Sequence, residues 1–213
     1  MTDAEGVAVA GPSEGASSAT AGRIRASAVR LFYEQGFQAT TVRQIVAACE
    51  LTPGSLYNHF PSKDDILYVI IKDSHDRIDS VISASIAAAK PDPQSQLMAT
   101  LHAFVLYHTQ FPMEARITNR DYGALPAIRR EAIVKRRRHT RGLIEDLVCA
   151  GVEQHVFQLP EVGGRTNPRL VTMALMGMVM MVAEWFRPDR AWTADALSDL
   201  LSKLTVAAIS PDR

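Results

Sequence analysis

Residues 40–63 read TTVRQIVAACELTPGSLYNHFPSK, and their spacing predicts two short helices joined by a tight turn. Thr40 and Thr41 are suited to capping the first, because a hydroxyl oxygen there accepts from backbone N–H groups otherwise unpaired at a helix start. Val42, Ile45, Val46 and Cys49 recur at intervals of three and four and form one apolar face. Beyond Glu50-Leu51, Thr52 is placed to cap a second helix, with Pro53 at its first position, where the missing N–H costs nothing. Leu56 and Phe60 are expected to face inward with Leu51. That leaves Pro53, Gly54, Tyr57 and Asn58 on an outer surface with no apolar reason for their identity. A short capped helix with a small residue near its start can present its positive end and free amides to phosphates or base edges. The expectation is a helix-turn-helix that reads duplex DNA.

Two motifs extend this reading. Ala28 to Val42 carries A-x-x-L-F-x-x-x-G-F-x-x-T-T-V, and Gly54 to Asp65 carries G-S-L-Y-x-H-F-x-S-K-D-D, with Ile45 between them. Residues 21–68 thereby resemble the N-terminal domain of the TetR family of bacterial transcriptional regulators. The order and spacing of the pieces carry the resemblance, since each alone is common. At the matching positions the resemblance implies phosphate contacts from Tyr57 and His59 and a backbone contact from Lys63. Thr52, Gly54, Ser55 and Asn58 fall where members touch bases or phosphates. Thr41, Arg43 and Pro53 complete the expected DNA-binding set. Glu50 departs from the pattern, for members usually carry Gly in this turn. If the position needs a positive φ, the side chain costs on the order of 1 kcal/mol.

Around this stretch the chain reads as all-helical, with about nine helices, no convincing strand and no internal repeat. Residues 1–19 are rich in Gly, Ala, Ser and Thr and have too little to bury, so a disordered tail is expected. An amphipathic helix over 21–35, ended by Gly36, would complete a three-helix DNA-binding domain spanning 20–66, with the helix-turn-helix at about 41–60. Ser62 is placed to cap a long helix whose stripe is Ile66, Val69, Ile70, Ile78, Val81, Ile82 and Ile86. Further helices are expected over 93–110, 113–120, 127–151, 168–187 and 193–209, with a loop at 154–167. Residues 67–213 would form the larger domain. From the resemblance, it binds an effector and dimerises through the helices at 168–187 and 193–209.

The 213 residues are 47% hydrophobic with zero formal net charge. Between 20 and 65 there are five Lys or Arg against four Asp or Glu, so DNA binding would lean on amides, hydroxyls and dimerisation more than on a basic surface. Cys49 and Cys149 imply neither a disulfide framework nor a metal cluster, and a reducing cytoplasm is the expected location. No apolar run was expected to reach the roughly 18 residues a membrane span needs. The nearest is Val171 to Phe186, interrupted by Thr172 and Glu184.

Two further signals bear on the effector. Seven Lys or Arg crowd into the thirteen residues from Arg129 to Arg141. Their plain reading is a solvated face paired with acids; the sharper one is an anion site for a phosphate-bearing ligand such as an acyl-CoA. Met173, Met176, Met178, Met180 and Met181 appear spread around one helix, apolar on more than one side. The candidate effector-binding residues are Arg77, Phe104, Tyr107, His108, Arg137, Met176 and Met180. Trp185-Phe186-Arg187-Pro188 loosely resembles a subgroup of these regulators tied to lipid and acyl-CoA catabolism. No phosphate loop, G-x-S-x-G elbow, H-E-x-x-H or C-x-x-C pair occurs, so no catalytic residue, cofactor or metal is expected. The sequence therefore points to a homodimeric TetR-like repressor, released from a palindromic operator by a small hydrophobic effector. An activator, a non-lipid ligand, and a small helical enzyme or adaptor are the alternatives.

Overall fold

The computed structural model describes residues 14–187 and 192–211. Chain contacts divide it into two compact units that meet in sequence at Ile66–Leu67.

The first unit holds α1 (Glu14–Gln35), α2 (Val42–Ala48), α3 (Pro53–Tyr57) and the start of α4 (Lys63–Ala88). α1 begins earlier than the sequence led us to expect, so 14–19 are helical and not part of a disordered tail; residues 1–13 lie outside the described residues. Extending a formed helix needs no new nucleus, and alanines at 16, 19 and 21 favour it. Gly36, at φ 87°, ends α1. The ring of Phe37 then meets that of Phe32 edge-on, 5.2 Å between centroids. Ile24, Ala28, Phe32, Ile45 and Leu56 are fully buried. Thr41 caps α2 in a reciprocal box with Gln44. Thr40 is not a cap. It is buried, and its hydroxyl donates to the Gly36 carbonyl at 2.8 Å, tying α2 to the end of α1. Thr52 caps α3 by accepting from the Ser55 amide, with Pro53 in the first turn.

Glu50 has φ 55°, the left-handed conformation in which an L side chain is strained. Glu50→Gly is therefore expected to raise stability by about 1 kcal/mol, read as a higher urea midpoint at unchanged m-value. A lower midpoint would mean that the Glu50 side chain holds the turn through contacts.

In the second unit α5 (Pro93–Gln110) is central. It packs against α7 (Ala127–Glu153), α8 (Pro168–Met180), α9 (Val182–Trp185) and α10 (Ala194–Ala207). Leu97, Leu101, Phe104 and Val105 supply its share of a core joined by Ile144, Val148, Leu175, Val179, Leu197 and Val206. α6 (Pro112–Asp121) and a single 3-10 turn (Tyr122–Ala124) lead into α7. At the end of α7 the chain folds back on itself. The amides of Val156 and Phe157 both donate to the Gly151 carbonyl, at 2.9 and 3.0 Å, and His155 sits at φ 58°. The Phe157 ring then lies where a Cβ on residue 151 would be, 2.0 Å from its nearest atom, so only glycine fits there.

Two expectations are corrected here. The loop at 154–167 contains a small antiparallel ribbon, β1 (Glu161–Val162) with β2 (Arg165–Thr166). Gly163 and Gly164 both have positive φ, as a two-residue hairpin turn of type I′ requires. The fold remains all-α. The expected helix over 168–187 is broken at Met181 into α8 and α9. Moreover, Pro168–Trp185 does reach 18 residues at a mean hydropathy of 1.2, so one stretch among the described residues passes a span test by length and composition. The interruptions at Thr172 and Glu184 are too few to lower the average below that threshold. Arg116 pairs with Glu184 at 2.8 Å, and Val171, Thr172, Leu175 and Val179 turn into the core.

Candidate functional site

In the first unit the candidate DNA-reading side chains collect on the outer surface of α2 and α3. Thr41, Arg43, Thr52, Pro53, Gly54, Tyr57 and Asn58 are exposed, while Ser55 and His59 are half-buried. Tyr57 is 52% exposed, a large aromatic ring that the first unit's core does not use. A Cβ added to Gly54 would meet nothing closer than the Thr52 Oγ1 at 3.9 Å, so the fold itself does not demand glycine at this position. α3 is a single turn and a half, and its macrodipole is correspondingly small; the side chains have to do most of any reading.

Lys63 stands apart from this set. Its Nζ donates to the carbonyls of Phe37 at 2.8 Å and Thr40 at 2.7 Å, and it lies 4.3 Å from the centroid of the Phe37 ring. It closes the turn between α1 and α2, and one of its three N–H donors remains for an outside partner.

In the second unit α4, α5, α6, α7 and α8 line a half-open cavity of about 210 Å³. Of the residues expected to bind an effector, Phe104, His108, Arg137, Met176 and Met180 line it. Arg77 and Tyr107 do not. The Arg77 guanidinium stacks over the Phe111 ring, and the Tyr107 hydroxyl is 2.6 Å from that of Ser74, both drawn off by partners outside the cavity. His75, Ile78, Thr118, Asn119, Thr140, Arg141, Met173 and Gly177 also line it and were missed. His75 had a legible signal, a histidine within the apolar stripe of α4. On α8 the methionines are spread around the helix: Met173, Met176 and Met180 line the cavity with Gly177, while Met173, Met178 and Met181 are each about half exposed.

The cavity lining is of two chemistries. Ile78, Phe104 and the methionines make an apolar wall. Against it stand polar groups short of partners. Neither ring nitrogen of His75 has a hydrogen bond, nor does the Thr118 hydroxyl. The His108 Nδ1 is 2.8 Å from the Phe104 carbonyl, which can only accept, so Nδ1 bears the hydrogen and Nε2 is bare. Burial pushes both histidines down to about 4, with the Arg137 charge adding to the effect at His75.

The Arg137 guanidinium stacks on the Tyr122 ring at 4.6 Å and makes two long hydrogen bonds of 3.5 Å, to the Thr118 carbonyl and the Asn119 side chain. No carboxylate among the described residues pairs with it, and burial pushes its pKa below the ordinary value. Its neighbours on α7 behave differently. Arg136 pairs with Asp76, and Arg130 reaches the Gly123 carbonyl. The Arg-rich run is thus mostly a paired or solvated face, with Arg137 turned inward.

Residues 24–69 match the family model described as bacterial regulatory proteins, tetR family, and residues 90–209 match one described as tetracyclin repressor-like, C-terminal domain. The HTH-type transcriptional repressor KstR2 of Mycobacterium tuberculosis is 24% identical over 195 residues, covering 90% of this chain and 93% of the relative. Its solved structure, described as a ketosteroid transcriptional regulator, superposes with a TM-score of 0.82 at 22% identity over 96% of this chain and 100% of that one. AibR, solved in complex with isovaleryl coenzyme A and operator DNA, superposes with a TM-score of 0.75 at 22% identity, covering 90% and 98%. At these identities the structural likeness shows the shared fold.

Proposed function

The chain belongs to the TetR family of bacterial transcriptional regulators, and on that premise we propose that it is a homodimeric repressor released from a palindromic operator by a small lipid-like ligand, an acid or its coenzyme A thioester. Residues 20–66 bind the DNA, through Thr41, Arg43, Thr52, Pro53, Gly54, Ser55, Tyr57, Asn58 and His59, with the remaining donor of Lys63. Residues 67–213 bind the ligand and dimerise. The observation that carries the ligand is the cavity, whose lining combines a half-buried guanidinium without a carboxylate partner among the described residues with methionine and phenylalanine side chains. KstR2 and AibR, whose names and titles connect a repressor to ketosteroids and a regulator to an acyl-CoA, are in keeping with a lipid-like ligand.

Dimerisation is assigned to 168–187 and 193–209. Leu170, Met178, Met181 and Trp185 on the first segment, with Leu200 and Leu204 on the second, are between 42% and 54% exposed in the single chain, more apolar surface than solvent-facing helices usually carry. A two-fold dimer reads two half-sites about one helical turn, roughly 34 Å, apart. The apolar 168–185 stretch is assigned to this interface and the protein to the cytoplasm, where its DNA lies. We assign it no catalytic step.

Release follows from linkage. The ligand must bind the DNA-incompetent state better, and it weakens DNA binding only by that difference. α4 is the coupling element in this reading, because it begins at Lys63 and carries His75 and Ile78 of the cavity wall. The test is a gel shift on the promoter DNA of the protein's own gene with acyl-CoAs, free fatty and aromatic acids, and steroids. One of these classes is expected to release the DNA at tens of micromolar. Release by an unrelated polar metabolite alone would overturn the lipid-like ligand while leaving the repressor in place.

A further inference from the structure

Resting on the ligand-responsive reading above, we infer that the cavity binds a small apolar carboxylic acid in its free, unconjugated form, with the carboxylate inside the cavity against Arg137, Asn119 and His75 and the hydrocarbon against the methionines of α8. Three observations converge on it.

The first is charge. Arg137 is half-buried, and a guanidinium drawn from water without a counter-ion is costly in proportion to its desolvation. The other charged groups near the cavity each have an opposite charge or a hydrogen-bond partner, Arg141 only loosely, since its Nε makes no hydrogen bond. Asp79 accepts from the Thr140 hydroxyl at 2.7 Å and faces Arg136, Asp76 binds Arg136 and Lys72, and Arg141 faces Glu145 at 3.9 Å. Arg137 lines the cavity with no carboxylate partner among the described residues, held by two hydrogen bonds long enough to yield to a better acceptor. A carboxylate takes both guanidinium N–H groups in a fork, the geometry to which arginine is preformed. A thioester offers one neutral carbonyl and would leave the charge uncompensated.

The second is the set of orphaned donors. His75 is 4% exposed with neither nitrogen bonded, and the Thr118 hydroxyl is 2% exposed and unbonded. Buried polar atoms are nearly always satisfied, and these line a cavity from which an entering ligand can supply the partner. His75 is held neutral and so keeps one N–H to donate to a carboxylate oxygen while adding no cation that would need a second anion.

The third is size. A cavity of 150 Å³ accommodates benzene, so about 210 Å³ holds roughly eight to ten non-hydrogen atoms. That is a medium-chain or arylalkanoic acid. The nucleotide and pantetheine of coenzyme A exceed this volume several times over and would have to lie outside it.

The full-length protein, free of DNA, is titrated calorimetrically with octanoate and 3-phenylpropanoate, with the matching primary amides, and with octanoyl-CoA. The acids are expected to bind, with each amide weaker by about 30-fold for want of the charge-assisted bonds. Arg137→Met should lose acid binding by a similar factor, and Arg137→Lys should recover part of it. Arg137→Met should also raise the thermal midpoint of the ligand-free protein, because it removes a half-buried charge that no carboxylate among the described residues compensates; a guanidinium with a merely structural role predicts a fall. Acid and amide binding equally, unaltered acid affinity in Arg137→Met, a lowered midpoint in that variant, octanoyl-CoA binding where octanoate does not, or no binding of either acid would each overturn the inference. Since DNA is absent throughout, such a failure leaves the repressor reading to its own gel-shift test.

Discussion

Tyr57→Ala is expected to weaken operator binding about 100-fold while leaving the thermal midpoint of the protein unchanged. The ring is half exposed at the end of α3, and the buried set of the first unit does not include it, so its removal opens no cavity. Its proposed partner is a phosphate oxygen. A hydrogen bond to a charged group contributes about 1.5 kcal/mol at the low end, and a two-fold dimer loses it at both half-sites, or about 3 kcal/mol in all. The salt dependence separates this loss from that of a cation. A neutral phenol releases no counterion, so the slope of log K against log salt should hold in Tyr57→Ala, whereas Arg43→Ala should lower it by about one per chain. Fluorescence anisotropy on an operator duplex at several salt concentrations reads both quantities. Undiminished affinity in Tyr57→Ala would remove the ring from the interface. Lys63 should respond differently, since its bonds to the Phe37 and Thr40 carbonyls make it a brace of the domain: Lys63→Ala is expected to lower the thermal midpoint as well as DNA affinity.

Acidification from pH 7.5 to pH 5 is expected to destabilise the protein by several kcal/mol, most of it through His75 and His108. Both are pushed down to about 4 in the folded state, chiefly by burial, against about 6.5 in an unfolded chain. A depressed folded value means that the unfolded chain binds protons first. The stability these two groups contribute is therefore fully present above pH 6.5 and is lost as the pH falls toward 4. At pH 5 the loss is on the order of 2 kcal/mol for each, less where charging is relieved by local opening. Urea unfolding at the two pH values gives the difference directly, and His108→Phe, which keeps a ring against Phe104 and Tyr107, should flatten about half of it. A pH-independent midpoint over this range would mean that neither histidine is held neutral by the fold.

Much of the first unit was legible because its determinants are local. Caps, a proline at the first helical position and apolar spacings of three and four act within a few residues of one another, so Thr41, Thr52 and Pro53 stand where their chemistry alone places them. The strain at Glu50 was flagged only through the resemblance to a family whose members usually carry Gly there, and the φ of 55° meets the condition that reading set. The boundary of α1 was misjudged for the complementary reason. Residues 14–19 have too little to bury on their own account, but they extend a helix already nucleated and packed farther along.

The cavity was legible only in part: Phe104, His108, Arg137, Met176 and Met180 were named from the sequence and line it, while His75, Thr118 and Arg141 were not. Seven Lys or Arg in thirteen residues are chemically alike on paper, and helical periodicity cannot say which one lacks an acid across the way, since Asp76 and Asp79 lie some sixty residues earlier. Only packing of α7 against α4 and α6 turns Arg137 inward and leaves Arg136 paired outside. The same holds for Tyr107 and Arg77, both on apolar-facing helices near the cavity, each claimed by a neighbour distant in sequence. Local propensity acts through neighbours along the chain and so determined the helices, their caps and the family motif from the amino acids alone. Which charge is left without a partner depends on contacts between residues far apart in sequence, and that the tertiary structure decided.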